Sequence, residues 1–247
     1  MNARRVLILL SLASAALVAA CGGSIASTSS QAAASSSASS SASSSASSSA
    51  SSTSATTASS MTATTSAAAG KTQPGPEGIP LEQGPDLAPA GTTSQGSTVD
   101  GVQCAPIEQL AYHIHAHLQV YVNGQPRALP AAIGMVGPVA QQTPYGPFYG
   151  AQQCYYWLHT HASDGIIHIE SPTARVYTLG NFFDEWNQPL NGTQVAGDKG
   201  KVTAFVNDKA WTKSPRDVPL VPHESIQLDV GTPTVAPHEI SFAGTNL

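Results

Sequence analysis

Residues 112–122, YHIHAHLQVYV, alternate without a break between two kinds of side chain. Tyr112, Ile114, Ala116, Leu118, Val120 and Val122 suit a core. His113, His115, His117, Gln119 and Tyr121 occupy the positions between them. Strict period-two alternation over this length is a β-strand with one buried face. The three histidines therefore leave the strand on the side opposite the core. Asn123-Gly124 follows, a strong hairpin signal, and Pro126 and Pro130 make the return strand short or an edge.

A second stretch, CYYWLHTHASDGIIHIE at 154–170, repeats the pattern. Trp157, His159 and His161 share one face; Leu158 and Thr160 share the other. Asp164-Gly165 predicts a two-residue type I′ turn with Ser163 opposite Ile166, His161 opposite His168 and His159 opposite Glu170. Opposed side chains then have Cβ atoms roughly 4.5–5.5 Å apart. A four-residue loop would put His159 opposite His168 and keep the cluster. A three-residue loop with a bulge would flip the parity and disperse it. Six of the chain's eight histidines fall in these two segments.

Further strands are expected at 175–179, 201–208 and 224–230. One short amphipathic helix is expected over 181–187, with Asn181 as its cap and Phe182, Phe183 and Trp186 on its apolar side. LQVYVNGQPRALPAAIG is faintly echoed by VTAFVNDKAW…VPLVPHESIQLDVG, each a strand, an Asn-containing turn and a Pro-punctuated return. The segment 137–153, with Tyr145, Phe148 and Tyr149, reads as a loop, either a lid over the histidines or, the favoured reading, a surface excursion. The fold class is mainly β (β-rich α+β): an antiparallel sheet or sandwich with one short helix, preceded by a long disordered tether.

The N-terminus has Arg4 and Arg5 before the apolar run 6–20, too short for the roughly 20 residues of a bilayer span. Residues 1–20 read as a secretory signal. The motif VAAC resembles a bacterial lipobox, which implies cleavage before Cys21, its lipidation, and an extracytoplasmic protein anchored to a membrane. Gly22, not Asp, follows the cysteine, which resembles an outer-membrane address where two membranes are present. Residues 21–99, rich in Ser, Ala, Thr, Pro and Gly, read as a tether with a typical reach of roughly 50 Å. Residues 100–247 read as one globular domain. The net charge of −5 disfavours nucleic acid as a partner. In an oxidising compartment Cys104 and Cys154 are expected to pair, at about 4 kcal/mol in the chain-entropy model; thiolate ligation of a metal is the alternative.

Paired H-x-H histidines on strands suit one transition-metal ion, with a further ligand from a neighbouring strand. His113 and His117 are about 13 Å apart along the strand, so a single ion does not take all three of the first set. The leading ligand set is His115 and His117 with His159 and His161; His113, His168 and Glu170 are further ligands or support them. His223 and His238 read as surface residues.

HIHAHL…VNG…LP..IG followed by C..WLHTH…GIIHIESP…TLGNFFDEW resembles a family of exported prokaryotic lipoproteins that carries no established activity. The H-x-H texture also resembles multicopper oxidases and cupredoxin-like proteins. That resemblance implies copper ligation by His113, His115, His159 and His161. The chain lacks their H-C-H motif and two of their four H-x-H sets, so no oxidase is implied. The leading expectation is binding of copper or zinc for capture, buffering or delivery, with a metal-exchange protein as partner. One alternative is an enzyme with a three-histidine centre and Glu170 or His113 as base; the other is an interaction domain whose histidines bind no metal. No Ser/His/Asp or phosphate-loop motif competes.

Overall fold

The structure, a computed structural model, describes residues 73–91 and 94–247. The expected signal sequence, Cys21 and the tether as far as residue 72 lie outside the described residues. In chain order the strands are Cys104–Ala105 (β1), Tyr112–Val122 (β2), Gln125–Arg127 (β3), Met135–Thr143 (β4), Gly146–Tyr156 (β5), Leu158–His159 (β6), Ile166–Ser171 (β7) and Tyr177–Thr178 (β8). The helix Leu179–Glu185 (α1) follows. Then come Leu190–Asn191 (β9), Gln194–Val195 (β10), Asp198–Lys199 (β11), Val202–Val206 (β12), Lys209–Trp211 (β13), Pro219–Leu220 (β14) and Glu224–Val230 (β15).

The main sheet has seven strands in the order β13-β12-β15-β2-β7-β6, with β3 beside β2. One edge of β2 is shared: Tyr112–His117 pair with β7, and Val120–Val122 pair with β3. The sheet is mostly antiparallel, but its central contact is parallel, with Ala116–Val122 beside Glu224–Val230. A parallel pair needs a long crossover, and the chain between β2 and β15, including α1, supplies it.

The alternation in β2 resolves as expected on one face. Ala116, Leu118 and Val120 are fully buried with Ile167, Ile169 and Leu228, in one cluster with Phe182, Phe183 and Trp186. Fully burying each large apolar side chain contributes roughly 1.5–3 kcal/mol. The helix begins two residues earlier than expected. Thr178 is its cap, accepting from the Asn181 amide, while the Asn181 side chain accepts from the Thr178 amide. Asn181 is thus the third residue of a capping box rather than the cap. The internal echo proves to be a repeated hairpin. Asn123-Gly124 joins β2 to β3 and Asn207-Asp208 joins β12 to β13, all four residues at positive φ.

Two sequence expectations are corrected. Residues 137–153 are neither a loop nor an excursion, because β4 and β5 pair as a long hairpin, with β1 added on its other side. Its Gly, Pro and Gln residues are largely exposed or half-buried, so no apolar alternation marks it, and main-chain pairing carries it. A register shift between Val136 and Pro138 accommodates the proline. The Cys104–Cys154 disulfide joins β1 to β5. The compact region also begins well before residue 100. Ile79 and Leu87 are buried, the Leu129 amide donates to Glu82, and the Trp186 indole donates to the Pro89 carbonyl at 2.8 Å. This Pro- and Gly-rich segment shows no periodicity because a few anchors and main-chain bonds hold it.

Candidate metal centre

On the face of the sheet opposite the apolar core, β2 and β7 set His113 against Glu170, His115 against His168, and His117 against Ile166. The adjoining strand sets His159 against His168, the register expected of the wider loop. The two-residue turn at Asp164-Gly165 does not form. Pairing stops at His159, and residues 160–165 make a broader loop that leaves His161 beyond the strand. The Asp164 carboxylate accepts from the Ile166 amide at 3.2 Å, and the Leu118 amide donates to the Gly165 carbonyl at 2.9 Å. Gly165 has φ +80°, and a Cβ there would lie 2.6 Å from His117 Nε2.

This face is not open to water. His115, His117, His159, His161, His168 and Glu170 are buried, and only His113, at 36%, reaches solvent. Part of the cover comes from β5. Phe148 stacks on the His161 ring at 4.4 Å, nearly parallel. Tyr149 and His161 also exchange bonds, the Tyr149 amide donating to the His161 carbonyl at 2.9 Å.

The inner pair has a defined protonation pattern. His159 Nδ1 lies 2.8 Å from the Tyr156 carbonyl, and His161 Nδ1 lies 2.6 Å from the Tyr149 carbonyl. A carbonyl oxygen only accepts, so both rings carry their proton on Nδ1 and a lone pair on Nε2. Burial, reinforced by neighbouring histidines, holds both rings neutral. It takes His161 down to about 4 and His159 well below the usual histidine range. The two Nε2 atoms nevertheless face each other at 3.1 Å with no proton to share. Glu170 Oε2, on a carboxylate 2% exposed, has no hydrogen-bond partner and lies 3.9 Å from His159 Nε2. Electron-pair donors from His159, His161 and Glu170 therefore converge on one spot. With His168, this group offers ligand atoms all within 4.8 Å of one another.

Main-chain packing orients this pair. Thr160 Oγ1 accepts from the Ile133 amide at 3.1 Å and donates to the Pro130 carbonyl at 2.9 Å, tying the H-x-H turn to residues 130–133. Gly134 has φ +72° and passes so close to Leu158 and His159 that any side chain there would strike their backbone.

His168 lies between two carboxylates. Its Nε2 is 2.7 Å from Glu77 Oε1 and its Nδ1 is 3.3 Å from Glu170 Oε1. Burial opposes its charge, but the bonds to Glu170 and Glu77 outweigh that and carry its pKa to about 9. Without a metal it is an imidazolium donating on both sides. Glu108 Oε1 approaches His161 Nε2 at 3.5 Å, and its own pKa is raised, first by burial and then by Glu170.

The outer pair differs. His113 Nε2 is 2.9 Å from His115 Nε2 and 3.0 Å from Glu170 Oε1. A proton on His113 satisfies these contacts, so no cation is required there. His113, His115 and His168 form a second converging group. They border an open cavity of about 610 Å³ with Glu77 and Tyr145.

Of the leading set, His159 and His161 converge on each other; His115 falls in the outer group with His113 and His168, and His117 joins neither. It sits against Gly165 beside a separate recess lined by Glu82 and Tyr121, and burial lowers its pKa to about 3. His168 and Glu170 take the place expected for it, because rise along β2 carries His117 away from the converging atoms. His223 and His238 are exposed, as expected. Sequence reading missed Glu77, Glu108 and Thr160. Glu77 lay in the presumed tether, Glu108 in an unpatterned loop, and Thr160 was simply the residue between two histidines.

Comparison with protein-family models, with curated proteins and with solved structures finds no match to this chain. The resemblances to exported lipoproteins and to cupredoxin-like copper sites rest on the quoted motifs alone.

Proposed function

We propose that this chain binds a transition-metal ion, copper or zinc, at His159, His161 and Glu170, with His168 as a further ligand. The observation that carries the reading is the inner pair, two buried neutral imidazoles whose lone pairs face each other 3.1 Å apart. That contact is repulsive in the metal-free chain. Around an ion about 2.0–2.1 Å from each nitrogen it becomes an ordinary ligand spacing. The second nitrogen of each ring is already held by a main-chain carbonyl, the support that metal-bound histidines commonly have. Imidazole-rich sets suit copper and zinc. With the lipobox-like VAAC sequence, the reading places a lipid-anchored metal-binding protein outside the cytoplasm, acting in capture, buffering or delivery. The open cavity beside the centre favours a second reading, a metal-dependent enzyme that admits a small substrate.

Elemental analysis of the purified chain, prepared without chelator, tests the proposal. Near-stoichiometric copper or zinc is expected, with at least a roughly 100-fold loss of affinity in His159→Ala, since removing even a supporting group costs 10–100-fold. Circular dichroism of the variant checks its fold. Absence of metal after loading with Cu(II) or Zn(II) would sink both readings.

A further inference from the structure

Resting on that reading, we propose that Glu170 bridges two metal ions. The inner ion lies on His159, His161 and Glu170 Oε2, and the outer, exchangeable ion lies on His113, His115 and Glu170 Oε1. The two oxygens of this buried carboxylate face different histidine pairs. Oε1 is 3.0 Å from His113 Nε2 and also accepts from His168 Nδ1 at 3.3 Å, while Oε2 has no partner and points toward His159. His113 Nε2 is also 2.9 Å from His115 Nε2. Neighbouring ligand atoms around one ion about 2.0–2.1 Å away have separations of this size.

The two positions differ in two ways that fix an order of loading. The inner nitrogens have no proton to satisfy them, so a cation there relieves a repulsion. The outer nitrogens can share a proton, so an ion must displace it and binds more weakly. Exposure runs the same way, because His113 reaches solvent and borders the cavity while every inner ligand is buried. Charge supports two ions. Glu77 and Glu108 lie beside Glu170 around the cluster, and Glu77 Oε2 is buried without a partner. Two ions sharing one carboxylate sit on the order of 4 Å apart, the spacing of two-metal sites. The outer position is then where an incoming ion is first held and from which one is handed on.

Titration of the full chain with Cu(II), followed by electron paramagnetic resonance and competition with a chelator, tests this. Two equivalents are expected, the first much tighter. The first should give an isolated Cu(II) spectrum. The second should diminish that signal and add a half-field transition from the coupled pair. His113→Ala changes an exposed side chain; it should keep the first equivalent and weaken the second by at least about tenfold, leaving the isolated spectrum. A single equivalent in the unaltered chain, two uncoupled signals, or two unchanged equivalents in His113→Ala would overturn the bridge and leave the inner site standing. No bound copper at all would overturn the inner site as well.

Discussion

His159-Thr160-His161 and His113-Ile114-His115 share one spelling and differ in physics. In the first, each Nδ1 is committed to a main-chain carbonyl, from Tyr156 and from Tyr149. That commitment strips the proton from each Nε2 and leaves two lone pairs facing each other, the arrangement the proposed ion would bridge. In the second, a proton on one nitrogen satisfies the pair and the nearby Glu170 oxygen. An H-x-H motif is therefore not a metal site by virtue of its letters. What the far nitrogens touch decides whether the near ones need an ion.

By this contrast, the inner pair depends on the β4–β5 hairpin and the outer pair does not. Replacing Cys104 and Cys154 together by Ala removes the covalent link between β5 and β1 and leaves only their main-chain pairing. A loss of up to about 4 kcal/mol is expected in denaturant titrations. The tightly held equivalent should weaken more than the outer one, because the Tyr149 and Tyr156 carbonyls lie in β5. Equal weakening of both would erase the distinction.

A smaller effect is expected with pH in the metal-free chain. Burial lowers His117 and His115 to about 3 and His161 to about 4, all below the unfolded value near 6.5. As pH falls through 6.5 the unfolded chain takes up protons that the folded chain refuses. Stability present above 6.5 is therefore lost toward acid. A fully buried histidine such as His117 contributes up to about 1.4 kcal/mol per pH unit in that window. His168, raised to about 9, behaves oppositely: its contribution is whole below 6.5 and is lost as pH rises toward 9. Unfolding measured with chelator from pH 4 to 9 should show both limbs, and His117→Gln should flatten the acid limb alone.

The gentlest test involves no change in stability. Nitrogen NMR of the metal-free chain near neutral pH should find His159 and His161 fixed as Nδ1–H tautomers. His113 and His115 should share a proton through Nε2. An Nε2–H signal on His159 or His161 would remove the repulsion on which the metal reading stands.

Much of the fold was legible in the residues. The β2 alternation, the Asn123-Gly124 hairpin, the apolar side of α1 and the cysteine pair all carry local or covalent signals, and all are present. The β4–β5 hairpin was not legible, because most of its side chains are exposed or half-buried and show no apolar alternation. The anchoring segment that carries Glu77 was hidden because its few buried anchors, Ile79 and Leu87, follow no period. Within the site, the expected ligands divide into two groups, His159, His161, His168 and Glu170 in one and His113, His115 and His168 in the other, and His117 joins neither, since facing the same way along a strand does not bring two side chains to one point.

The sequence by itself determined that His113 and His115 leave one face of their strand and that His168 and Glu170 leave one face of theirs, because side chains of a strand alternate with period two. Only the tertiary structure decided which nitrogens keep their protons, that His168 stands between Glu77 and Glu170, and that the histidine face is covered. Those outcomes rest on main-chain carbonyls and carboxylates brought from distant segments, where the partner's position, not its side-chain pattern, sets the chemistry.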